Sequence, residues 1–168
     1  MTPEEQNKFL SKHYSEAVRY MNNAKETLKK AGKQDNNRFY KDEKYVKSAC
    51  GIAHLGVLIA LDAWLELKEA PDPGKKKRKS IGYYTDNIAK IDNKILSTLK
   101  AEYDILHLNG YYDGVCLIKA IENGFDLAYE IIDKIKPENP VDAPETRGDM
   151  VKRAWDRLTV SLAVLFRL

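Results

Sequence analysis

Apolar residues at alternating spacings of four and three recur along nearly the whole chain, and that periodicity restricts it to helices packed on one side. Leu10, Tyr14, Ala17, Met21, Ala24 and Leu28 form the first seam. At about 3.6 residues per turn these side chains share one face, as they do on a helix laid against a core. Ile81, Tyr84, Ile88, Ile91, Ile95 and Leu99 repeat the pattern, and so do Leu117, Ile121, Phe125, Ala128, Ile132 and Ile135. Between them, Ala49, Ala53, Gly56, Ala60 and Ala63 set small residues on one face where a neighbouring helix can approach closely. No stretch sustains the two-residue alternation of a half-buried strand. The expected fold is all-α, an antiparallel bundle of four long helices plus a C-terminal fifth.

Start and stop signals place the helices near 3–31, 40–69, 81–107, 114–135 and 149–166. Thr2, Pro3 and Glu5 form a capping box with proline at the first helical position. "APDPG" ends the second helix, Asn109-Gly110 ends the third, Asp113 caps the fourth, and Pro137 closes it. Residues 1–136 then form the bundle and 137–148 a proline-rich linker. Residues 149–168 carry an amphipathic helix that packs on the bundle or on a second subunit. Its apolar side holds Val151, Ala154, Trp155, Leu158, Leu162, Leu165 and Phe166.

A chain of 168 residues suits one domain, large enough to bury about 70% of its unfolded surface. Its 28 basic and 25 acidic residues leave a net charge of +3, too small for nucleic-acid binding by charge alone. "KKKRK", Lys75, Lys76, Lys77, Arg78 and Lys79, is one local concentration of cations, able to touch RNA or an acidic partner but more simply a solvated connector. The apolar run Ala49–Leu67 contains His54, Asp62 and Glu66, which suits a soluble core helix better than a membrane span. "MTPEEQNKFL" has neither the basic nor the apolar region of a secretory signal, so a cytoplasmic protein is expected. Cys50 and Cys116 sit in helical patterns and read as reduced, buried thiols.

Phosphate-loop, dinucleotide-binding, HExxH and CxxC motifs are all absent, and no serine or cysteine nucleophile can be matched to a base. His13, His54 and His107 fall on three different helices, where they could meet with Asp62, Asp104 or Asp113 to hold a metal, but each alone reads more simply as a packed or surface residue. No metal and no cofactor is expected. "ILHLNGYYDG", Ile105–Gly114, is the most distinctive stretch, with His107 between leucines ahead of Tyr111, Tyr112 and Asp113. The tyrosine rings can cover a turn there with hydroxyls free to hydrogen-bond, and a neutral His107 can satisfy a carbonyl or Asp113.

"YVKSACGIAHLGVLIALDAWLE", followed by a helix closing on "LHLNGYYDG" and then by "IENGFDLAYEIIDKI", resembles the HEPN-like helical bundles over about Met1–Lys136. It is most similar to a bacterial branch of unknown function. Ribonuclease members of that superfamily place an arginine shortly before a histidine near the end of the third helix, and two copies meet across a dimer to cleave RNA without a metal. Only the histidine carries over, onto His107. The nearest upstream cation is Lys100, which cannot offer a planar two-pronged grip on phosphate. The resemblance therefore implies a non-catalytic interaction or dimerisation module, a homodimer that can also engage a partner protein such as a nucleotidyltransferase. The alternative it carries is an RNA endonuclease toxin, or a nucleotide- or RNA-binding subunit, using His107 with Lys100, Tyr111 or Tyr112.

Overall fold

The computed structural model describes residues 1–34, 37–71, 73–74 and 79–137. Lys75, Lys76, Lys77 and Arg78, the linker beyond Pro137 and the helix expected at 149–166 lie outside the described residues. The described helices are α1 (Pro3–Lys29), α2 (Glu43–Leu67), α3 (Ile81–Ile88), α4 (Asn93–Glu102) and α5 (Ile118–Ile132). A π segment (Tyr103–Tyr112) continues α4, and a single 3-10 turn, Asp133–Ile135, follows α5. Among the described residues there is no strand, and the architecture is an all-α bundle.

α1 begins where its capping box dictates. The Thr2 hydroxyl accepts the Glu5 N–H at 3.2 Å, and the Glu5 carboxylate accepts the Thr2 N–H at 2.7 Å. Its seam buries Tyr14, Ala17, Val18, Met21 and Ala24 against α2. There Gly56 sits so close to α1 that an added Cβ would lie 3.1 Å from both the Ala17 carbonyl oxygen and the Tyr20 Cβ. Asp42 N–H bonds to Ala31 O at 3.1 Å, so α2 starts where α1 ends, while Gly56, well along α2, meets the middle of α1. The two helices are therefore antiparallel. α2 is long and apolar enough to cross a membrane by length and composition, but 61% of that stretch is buried inside the bundle, as in a core helix.

Three boundaries differ from the sequence reading. The third helix is broken: α3 stops at Ile88, and Asp92 caps a new start by accepting the Lys94 and Ile95 N–H groups at 2.9 and 3.0 Å. A capping aspartate competes with the continuous helix that the apolar seam suggests, and Ile91, inside the break, is left exposed. Further on, Asn109-Gly110 does not end the helix. The backbone widens to i→i−5 bonding and runs through Tyr112, with Asp113 N–H on Leu108 O at 2.9 Å. α5 then begins at Ile118 rather than 114, with Leu117 at its N-cap and no side-chain cap, so Asp113 caps nothing.

The residues between the π segment and α5 are tied to the α1–α2 connection. Tyr40 N–H bonds to Cys116 O at 2.9 Å and Ile118 N–H to Arg38 O at 3.1 Å. Gly114, at φ 70°, lets the chain reverse there. This clasp fixes the end of the π segment against the start of α2.

Candidate functional site: a histidine-lined cleft beside the π segment

The π segment runs antiparallel to α2, with Gly110 opposite Cys50, Tyr111 against Gly51, and Tyr103 and His107 beside His54. Gly110 permits the close approach, since a Cβ there would stand 2.5 Å from the Cys50 sulfur. The wider π turn brings residues four and five apart together around one ring. His107 stacks on Tyr103 with centroids 4.7 Å apart and planes at 20°, and it also meets Tyr111 at 5.7 Å and Tyr112 at 5.2 Å. Asp113 is not a partner of this ring; aromatic neighbours surround it instead. Burial, and secondarily the charge of His54, hold the His107 ring below the ordinary imidazole range.

Behind His107 lies a buried acid–imidazole pair. His54 Nδ1 is 3.1 Å from both carboxyl oxygens of Glu102, and the two residues are 5% and 0% exposed. Burial raises the Glu102 carboxyl, and its bond to His54 offsets part of that rise. The His54 and His107 rings are 4.7 Å apart. Both open on a cleft of about 580 Å³ walled by Ile52, Leu55, Leu58, Tyr103, Tyr111 and Tyr112. Lys79 and Tyr84 reach the same cleft, and both hold Asp62, through an ion pair of 2.8 Å and a hydroxyl bond of 2.9 Å.

His107, Tyr111, Tyr112 and Lys79 are thus gathered in one place, whereas Lys100 and Asp113 are exposed and do not line the cleft. Sequence reasoning weighed His54 beside His107 only as a metal set and missed Glu102 as the partner of His54. One signal was present: Ile95, Leu99, Glu102 and Leu106 follow the spacing of four and three, so Glu102 is an acid in a core slot. Among the described residues no group of three or more His, Cys, Asp or Glu side chains converges to hold a metal. Both cysteines are free. Cys50 is buried, its thiol pushed up to about 12 by burial, while Cys116 is only half-buried. Neither suits a thiolate nucleophile.

The fold and the cleft define a small all-α bundle with a buried carboxyl–imidazole pair behind an aromatic wall. The chain belongs to a family described as a domain of unknown function (DUF5618), whose model matches residues 12–137. It is similar to the solved structure of a protein of unknown function from Dyadobacter fermentans. The two are 42% identical with a TM-score of 0.66, and the match covers 74% of this chain and 94% of that one. No curated protein matches the chain.

Proposed function

We propose that the chain is a HEPN-like bundle of the bacterial cytoplasm that works as a non-catalytic self-association module, its cleft face docking on a second copy. The observation that carries this reading is the rim of the cleft. Leu55, Tyr111 and Tyr112 are 49%, 44% and 63% exposed, grouped on α2 and the π segment. Aromatic side chains presented together on a surface are the usual anchors of protein contacts, and a two-fold contact lets one such patch meet itself. Light scattering on the full chain should report a dimer, and pairing Leu55→Glu with Tyr112→Glu should give a folded monomer. A wild type that stays monomeric at every concentration overturns the reading.

One observation favours the nuclease alternative: two imidazoles, His54 and His107, share the cleft. In-line RNA cleavage also needs a group to hold the phosphorane charge. The lysine at this cleft, Lys79, is engaged by Asp62, and Lys100 stands elsewhere. Purified chain incubated with pooled RNA should leave it intact. Cleavage that disappears in His107→Ala, with the melting temperature unchanged, would establish the nuclease instead.

A further inference from the structure

We propose that the cleft beside the π segment binds an amphipathic organic anion, a carboxylate on an aromatic or branched apolar body, with its head on His54 Nε2. Three observations carry this. First, the cleft has an anchor at its wall. Glu102 occupies the Nδ1 side of His54, and Nε2 has no partner among the described residues. A buried carboxylate without compensation is unfavourable, so the pair is held overall neutral. Three placements of the protons achieve this, and one of them, a neutral ring donating Nδ1–H to the carbonyl oxygen of a protonated Glu102, buries the carboxyl O–H without an acceptor among the described residues, so two remain. The Glu102 carboxyl donates to Nδ1 of a neutral ring, or the Glu102 carboxylate accepts from Nδ1–H of an imidazolium. In both, Nε2 carries a hydrogen, so the pair offers the cleft a donor.

Second, the lining has a sign. Its charged and titratable members among the described residues are His54, His107, Lys79 and the tyrosines, with no carboxylate. Glu102 stands behind His54, and Asp62 bonds the ammonium of Lys79 and the hydroxyl of Tyr84. With Lys79 and the Tyr84 hydroxyl already on Asp62, the cleft offers His54 Nε2–H and further hydroxyls, and among the described residues no carboxylate faces it to repel an anion. Third, the rest of the wall is apolar or aromatic, and about 580 Å³ lies within the range of small-molecule sites. The smaller cleft near Tyr40, about 270 Å³, mixes Lys25 and Lys29 with Glu122 and Asp126 and shows no comparable bias of charge.

The test is isothermal calorimetry on the full chain with 3-phenylpropionate, its neutral amide 3-phenylpropionamide, and 3-phenylpropylamine. The acid should bind, and the amide and amine should bind at least about tenfold more weakly, because a charge-assisted hydrogen bond is lost or reversed. Leu58→Trp fills the cleft from its apolar side without touching the pair, and it should abolish binding with the circular dichroism spectrum unchanged. The inference is overturned if the acid produces no binding heat, if the three probes bind alike, or if the acid's affinity survives Leu58→Trp. Because a second copy docked on the cleft face would cover this site, the titration is run at a dilution where light scattering shows the chain monomeric, which separates an absent site from a covered one.

Discussion

His54 and Glu102 illustrate how much one contact changes the meaning of a residue. Either side chain alone would be an error in a core; together they satisfy each other at 3.1 Å. His54→Leu should therefore destabilise the bundle by about 3–5 kcal/mol, because Glu102 is left buried without its partner. Adding Glu102→Leu should restore much of that loss, as read from urea unfolding of the single and double variants. His107 sets a different dependence. Its folded pKa lies below the ordinary 6.5, so the stability of its neutral ring is complete above 6.5 and is lost as pH falls through the folded value. Glu102 has the opposite sign. Its contribution is complete below the ordinary 4.5 and is lost as pH rises through its raised folded value. Comparing melting temperature against pH for wild type and His107→Gln isolates the first effect: the variant's curve should be flatter as pH drops below 6.5. Parallel curves would show that the fold does not hold His107 neutral.

Among the elements, the π segment decides the site. With Asn109-Gly110 as a helix stop, Tyr111 and Tyr112 would belong to a turn. In the fold they remain on the helix and meet His107 at 5.7 and 5.2 Å. The close contact with Cys50 makes Gly110 essential to that arrangement. Gly110→Ala should cost about 1–3 kcal/mol by overpacking, and adding Cys50→Ala should recover part of it. Thermal melts of the two variants check this. If Gly110→Ala melts like wild type, the helix is not pinned to α2 here. By contrast, the start of α1 was legible because its signal is local, and α2 begins at Glu43, three residues after the expected 40. Thr2, Pro3 and Glu5 lie within four residues, and Asp42 caps its own helix by bonding Lys44 N–H. The break at Asp92 was local too, but the apolar seam across it read as the stronger signal.

For the whole molecule, the segment beyond Pro137 is the largest open element of the design. We expect residues 149–166 to dock, on this bundle or on a second copy. Leaving Trp155, Leu158, Leu162, Leu165 and Phe166 in water forgoes roughly 1.5–3 kcal/mol per side chain before entropy. Removing residues 141–168 should then lower the melting temperature or change the mass in solution. A truncated chain matching the full one in both would mean that the helix does not dock. The family match, residues 12–137, already covers the bundle itself.

Periodicity and caps were enough to determine that this chain is a helical bundle, because each is a relation among residues a few positions apart. His107, Tyr111 and Tyr112 could be singled out for the same reason, since they share ten residues of chain. Their partners could not. His54 and Glu102 are 48 residues apart, and nothing in either neighbourhood specifies the other. Only packing α2 against the π segment brings the acid to the imidazole and opens the cleft before them. A helix face records that a residue is buried; which residue it meets there is set by the register between helices, and the tertiary structure alone decides that.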